Sequence, residues 1–349
     1  MQSQHLRASR FFPAILLFVG LITALVGCSS RHSSTPADWS ESPRVWPDPP
    51  DVPRIAFQRS LSTPAEFGSR ASAFARFGQW ITGSGKREDR LRKPFGLALD
   101  ENENLCITDT GANTVSFFDR AAHKWRAWDK VGSVRFLSPV SVAKRYGTFF
   151  VADSMLGRIV VFREDGKLTL QITNGVQRPC AVVILNDKLF VADSQLHAVI
   201  KFDLAGNLLK QFGTRGNGDG QFNFPTHLAA DKDGMLYVTD SMNSRVQKFT
   251  AEGEFKGEVG KLGDSPGHFG RPKGIALDSA GRLYALDAMF DNFQIFAPDG
   301  RLLLAIGETG SQPGQFWLAN GIAITRDNQI YIADSYNRRI QVFKYVGVD

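Results

Sequence analysis

An all-β fold is predicted, with six four-stranded antiparallel blades closed into a β-propeller, and three observations predict it. A short apolar segment ending in aspartate recurs six times, at 105–109, 149–153, 189–193, 236–240, 283–287 and 330–334. The intervals between successive aspartates are 44, 40, 47, 47 and 47 residues, the period of a propeller blade. Turn dipeptides carrying glycine separate β-branched and aromatic runs: Asp165-Gly166, Ala205-Gly206, Asp233-Gly234, Glu252-Gly253, Ala280-Gly281 and Asp299-Gly300. Such turns are the strongest short-range signal of a β-hairpin.

Taken in chain order, the first element is a leader. Arg7 and Arg10 are the only charged residues before Cys28, and an apolar run over 11–26 follows them. A basic start and a short apolar run make a secretory signal, and the run is shorter than the about 20 residues of a spanning helix. It ends in Leu25-Val26-Gly27-Cys28, which resembles the bacterial lipobox. That resemblance implies removal of residues 1–27 and lipidation of Cys28. Several acyl chains together hold a protein on a membrane where one holds it weakly. Ser29, not an aspartate, follows the cysteine. The expected location is therefore the outer membrane, lipid-anchored and facing the periplasm, ahead of the inner membrane. Residues 28–52, with Ser33-Ser34-Thr35-Pro36 and Trp46-Pro47-Asp48-Pro49-Pro50, are too poor in apolar residues to pack and read as a flexible tether.

The folded body is expected over 53–349. Residues 54–60 have strand character. Thr63-Pro64-Ala65-Glu66 has the form of a capping box, and Phe67, Phe74, Phe77 and Ile81 fall on one face of the helix expected to follow. Each blade then begins with a run such as Pro94-Phe-Gly-Leu-Ala-Leu99 or Pro225-Thr-His-Leu-Ala-Ala230. The aspartate segment is its second strand, and a run ending in Phe (Phe162, Phe249, Phe343) is its third. The sixth unit stops after its third strand. Residues 54–60 are expected to supply the missing one, because an unpaired edge is a liability.

The runs Gly220-Gln-Phe222, Pro272-Lys-Gly-Ile-Ala-Leu-Asp278, Leu236-Tyr-Val-Thr-Asp240 and Asn337-Arg-Arg-Ile-Gln-Val-Phe343 resemble NHL repeats over residues 90–345. Blades 4–6 match best. Blades 2 and 3 carry Ser141 and Ala181 where the pattern has glycine.

In an antiparallel meander, the start of the first strand and the loop between the second and third share one face. That face is expected to gather Phe95, Val140, Cys180, Thr226, Lys273 and Asn320 around the channel mouth, with His227 one residue deeper. The same face carries a methionine-rich rim of Met155, Leu156, Leu196, Met242, Met289, Phe290 and Tyr336. Methionine suits adaptable contact surfaces, so a protein or peptide partner is expected there, unless these side chains tuck between blades. The six aspartates invite a cation-ring reading, but Asp before Ser, Thr or Ala and then Gly or Asn is turn chemistry. NHL-type amidating lyases set several histidines around a channel zinc. Here His123, His197 and His268 are expected in outer positions, and one channel histidine cannot build a three-ligand site.

No CxxC, CxxCH or Cys/His cluster occurs, so no cofactor or metal is expected, and Cys106 and Cys180 fall in non-adjacent blades. Loss of the leader leaves 39 basic and 35 acidic residues, interspersed, which calls for no nucleic acid. The function expected is a membrane-anchored binding or scaffold module. The second reading is a lyase or hydrolase with a site in the channel around His227, with or without a metal, and a small-molecule channel ligand is compatible with either.

Overall fold

The computed structural model describes residues 44–69 and 90–347. Six blade sheets follow one another, and in blades 1–5 the strands lie in sequence order from the axis outward. Blade 2 is typical, with Pro139–Arg145 innermost, then Thr148–Asp153, Arg158–Arg163 and Leu168–Ile172. The inner strands of the others are Pro94–Leu99, Pro179–Leu185, Pro225–Ala230, Pro272–Leu277 and Ala319–Ile324. The glycine of each expected turn has positive φ, from +78° at Gly281 to +87° at Gly206 and Gly300. That backbone state is cheap for glycine alone.

The hydrophobic cores lie between blades, which is why a single unit cannot stand alone. Between blades 1 and 2, Phe117, Phe149 and Phe162 are buried with Cys106, and the rings of Phe149 and Phe162 stack at 4.9 Å. Inner strands approach so closely that a Cβ on Gly96 would lie 2.5 Å from the Val140 carbonyl oxygen. Gly274 and Gly321 face Asn320 and Phe95 of the next blade in the same way. Where the glycine is replaced, at Ser141, Ala181 and His227, the inner strand pairs one residue earlier, so its bulge is shorter.

The ring closes as expected. Ile55–Leu61 pairs antiparallel with Arg339–Tyr345 and completes blade 6. Two expectations are corrected. Val45–Trp46, placed in the tether, forms a fifth strand on Ile55–Leu61, and Trp46 packs edge-on against Phe343 at 5.8 Å. An aromatic anchor separated from its partner by nearly the whole chain leaves no local signal. The helix expected from Thr63 is, over 63–69, a set of turns. Glu66 does accept the Thr63 N–H at 3.1 Å, as a capping box requires, but Gly68 at φ +95° breaks the run. Phe67 packs on Trp125, whereas Phe74, Phe77 and Ile81 lie outside the described residues. Cys28 and the leader do too.

The uniform spacing of 47 in blades 4–6 comes from a glycine-rich loop ahead of each inner strand, pinned by the bridges Arg215–Phe222, Leu262–Phe269 and Thr309–Phe316. In blade 6 the polar residues of the motif are its fasteners. Arg339 donates to the carbonyls of Ser311, Gln312 and Gln315, and Gln341 bonds Gly314 and Gln315. Arg245 and Gln247 repeat this in blade 4.

Candidate functional site

The loops between second and third strands begin at the six aspartates. All six are buried, and their carboxylates are occupied by loop donors. Asp153 accepts the N–H groups of Leu137, Ser138, Met155 and Leu156, and Asp193 those of Gln177, Arg178, Gln195 and Leu196. Each aspartate therefore welds its own loop to the segment leading into the blade, and this is the role of the repeat's most regular residue. Among the described residues no three His, Cys, Asp or Glu side chains converge as metal ligands.

Those welded loops surround a cavity of about 470 Å³ at the channel mouth. Phe95, Val140, Cys180, Thr226, His227 and Lys273 all line it, so residues from five blades meet there. Asn320 does not. Its side chain is buried, donating to the Leu318 carbonyl at 2.8 Å and to Ser335 Oγ at 3.1 Å. The blade 6 position is thus spent on its own loop, while Ser335 ties blade 6 to the Pro94 carbonyl of blade 1 at 2.6 Å.

Residues the sequence reading did not single out complete the cavity with the rim residue Met242: Arg178, Phe224 and Arg271, each just before the proline of an inner strand, and Ser154, Ser194 and Ser241, each just after an aspartate. Their signal was positional, since these places flank the two motifs that define the face.

His227 lines both this cavity and the channel below it. Phe95 and His227 come from opposite blades, yet their rings stack at 6.4 Å, so the pair narrows the axis. Burial and then the Lys273 ammonium drive the imidazole down to about 3. The ring is neutral at physiological pH, and among the described residues its one hydrogen-bond contact is Thr226 Oγ1 at 3.2 Å. That arrangement has no carboxylate orienting the histidine and no activated nucleophile. Lys273 is itself lowered to about 8 by burial, with Arg271 adding repulsion. Cys180 donates to Ser194 Oγ at 3.1 Å, and burial raises its thiol above the usual range.

The histidine sets a pH dependence. A histidine whose folded pKa is depressed binds its proton in the unfolded chain first. Stability is then complete above about pH 6.5 and falls as pH drops from there towards 3. The loss reaches up to about 2 kcal/mol at pH 5. His227→Gln is expected to flatten this slope in urea titrations at pH 7 and pH 5. An unchanged slope would show that the ring is protonated without cost.

The rim divides into two sets. Met155, Met242, Met289 and Tyr336 are exposed, with Met155 at 72% and Met289 at 63%. Leu156 and Leu196 are corrections, because they pack against the cores between blades 1 and 2 and between blades 2 and 3 respectively. Phe290 is half-buried. The exposed set gains Trp317 and Leu262. Met242, Leu262 and Met289 line one groove between blades 4 and 5, and Phe224 and Met242 extend it into the mouth. At the blade 6 to blade 1 seam Trp317 packs on Tyr336 at 5.5 Å, with Lys93 Nζ 4.6 Å over the tyrosine ring.

The blades, the welded loops and the motif fasteners define a six-bladed β-propeller with NHL-type repeats. The NHL repeat family matches residues 316–343, and a family described as a 6-bladed beta-propeller matches 227–294. No curated protein matches the sequence. Among solved structures, a gluconolactonase from Xanthomonas campestris shares 14% identity, covering 83% of this chain and 98% of that one, at a TM-score of 0.56. Virginiamycin B lyase from Staphylococcus aureus shares 14%, over 73% and 96%, at 0.55. An auxiliary nutrient binding protein from Bacteroides thetaiotaomicron shares 12%, over 74% and 70%, at 0.58. At such identities the likeness is one of fold, and this fold serves lyase, lactonase and binding roles alike.

Proposed function

We propose that the protein is a lipid-anchored binding or scaffold module that engages a protein or peptide partner through the loop-rich face of its propeller. The observation that carries this reading is the apolar arc of Phe224, Met242, Leu262 and Met289, exposed and contiguous across blades 4 and 5. Soluble proteins rarely leave such a patch uncovered unless something binds it, and methionines let one surface adapt to its partner. Arg271 and Lys261 border the same groove, where Glu258 is neutralised by Arg245 at 2.7 Å, which favours a partner segment that is apolar with acidic neighbours. The neutral, isolated His227 gives the channel-enzyme reading no comparable support.

The anchor belongs to the same proposal. Cys28 carries the lipid, and the propeller faces the periplasm from the outer membrane. Among the described residues no helix is long and apolar enough to cross a membrane. Cys28→Ser is expected to move the protein from the membrane fraction to the soluble one. Retention on the membrane would refute lipid anchoring.

The double substitution Met242→Asp with Met289→Asp is expected to abolish photo-crosslinking of a partner from a probe at Leu262 in intact cells. Both side chains are exposed, so thermal stability should change by no more than about 0.5 kcal/mol. Crosslinks that survive in the folded double variant would remove the rim from the interface.

A further inference from the structure

We infer that the channel mouth binds a small organic anion, an acid group carried on an apolar body, and this goes beyond the rim reading because it concerns the cavity and not the groove. Three cations, Arg178, Arg271 and Lys273, line the cavity, and no acidic side chain lines it with them. None of the three side chains makes a hydrogen bond or ion pair among the described residues. Lys273 is half-buried and Arg178 and Arg271 are exposed at the mouth, whereas buried cations elsewhere in the fold are matched: Arg245 to Asp240 at 3.0 Å, Arg339 to Asp334 at 2.7 Å and Lys144 to Asp100 at 2.7 Å. The carboxylates closest along the chain cannot serve, because Asp193 holds four backbone N–H groups and Asp287 holds those of Gly270, Arg271 and Met289. Like charges gathered around one mouth without a counter-charge repel, most strongly at half-buried Lys273, and a bound anion removes that repulsion.

The rest of the lining decides what kind of anion. Phe95, Phe224, Val140 and Met242 give apolar walls, while Ser154, Ser194 and Thr226 offer hydroxyl donors. A bare inorganic ion would leave those walls unused. The volume, about 470 Å³, is that of a small-molecule site. The Phe95–His227 pair narrows the axis below, so the ligand enters and leaves by the loop face. Lys273, held down near 8 by burial and by Arg271, regains a full ammonium when an anion sits beside it. Binding at pH 8 therefore takes up a proton, with Arg178, Arg271, Cys180 and His227 the other titratable groups facing the site.

Calorimetric titration of the folded protein with phenylacetate, phenyl phosphate, inorganic phosphate and neutral phenylacetamide tests this. Phenylacetate or phenyl phosphate is expected to bind, which also tells a carboxylate head from a phosphate one, and the amide and inorganic phosphate at least about tenfold more weakly. Lys273→Met and Arg271→Gln are each expected to weaken binding about tenfold or more at unchanged melting temperature, and Lys273→Arg to restore most of it. In buffers of different ionisation enthalpy, proton uptake at pH 8 should appear in the wild type and vanish in Lys273→Met. The inference is overturned if no organic anion binds at millimolar concentration. It also fails if the amide or inorganic phosphate binds as tightly, or if the charge-removing variants bind like the wild type. Met289→Asp, whose residue lines the groove and not the cavity, reads the rim proposal separately.

Discussion

Removal of residues 44–61 is expected to abolish the cooperative unfolding transition. The deletion takes away the strand Ile55–Leu61, whose Ile55 and Leu61 are 0% and 2% exposed, and each such side chain contributes about 1.5–3 kcal/mol by burial. It also strips the cover from Phe343, which Phe57 and Trp46 meet edge-on at 5.6 and 5.8 Å. The edge of Arg339–Tyr345 is left with unpaired N–H and C=O groups, a template for aggregation. A domain's whole stability is only about 5–15 kcal/mol, so these losses together are comparable to it. Circular dichroism melts and size-exclusion chromatography check the outcome, and a monomer melting within a few degrees of the wild type would show that the ring holds without its closing strand. A milder variant, Trp46→Ala, should lower the melting temperature while keeping the transition.

Asp334→Ala carries the second large effect. The carboxylate is fully buried and accepts from the Trp317 N–H at 2.9 Å, Arg339 Nε at 2.7 Å and Gln341 Nε2 at 3.1 Å, with Asn337 Nδ2 at 2.9 Å. Its loss leaves the Arg339 guanidinium, 12% exposed, without its partner. Breaking a buried pair from one side costs about 3–5 kcal/mol. The midpoint of urea unfolding should fall accordingly, with Asp334→Asn falling less because one acceptor remains. A change below about 1 kcal/mol would mean that the loop is held chiefly by its backbone bonds. Because Arg339 also grips Ser311, Gln312 and Gln315, the same variant should loosen the glycine-rich loop ahead of blade 6, visible as faster amide exchange at Gly310 and Gly314.

Much of this architecture was legible before any coordinates. The six aspartates, the Gly turns and the strand over 54–60 are local or periodic signals, and each reports on backbone chemistry within a few residues of itself. The meander's geometry then placed Phe95, Val140, Cys180, Thr226, His227 and Lys273 around one mouth, since strand direction is enough to say which ends share a face. What failed was the detail within that face. Asn320 turned to its own loop, and Leu156 and Leu196 turned inward, because rotamer choice depends on the space a neighbouring blade leaves.

Sequence alone determined the number of blades, their strand order, the closing strand and the face on which the loops gather, because those follow from repeat period and alternation. Only the tertiary structure decided which distant residues meet. Trp46 meets Phe343 across the closing strand of blade 6, while Lys144 reaching Asp100 of the neighbouring blade at 2.7 Å and three unmatched cations brought around one cavity depend on contacts between blades. Their distances are set by how tightly inner strands pack around the axis, where Gly96, Gly274 and Gly321 allow backbone to touch backbone. Ring closure converts a one-dimensional period into a radius, and no window along the chain contains that radius.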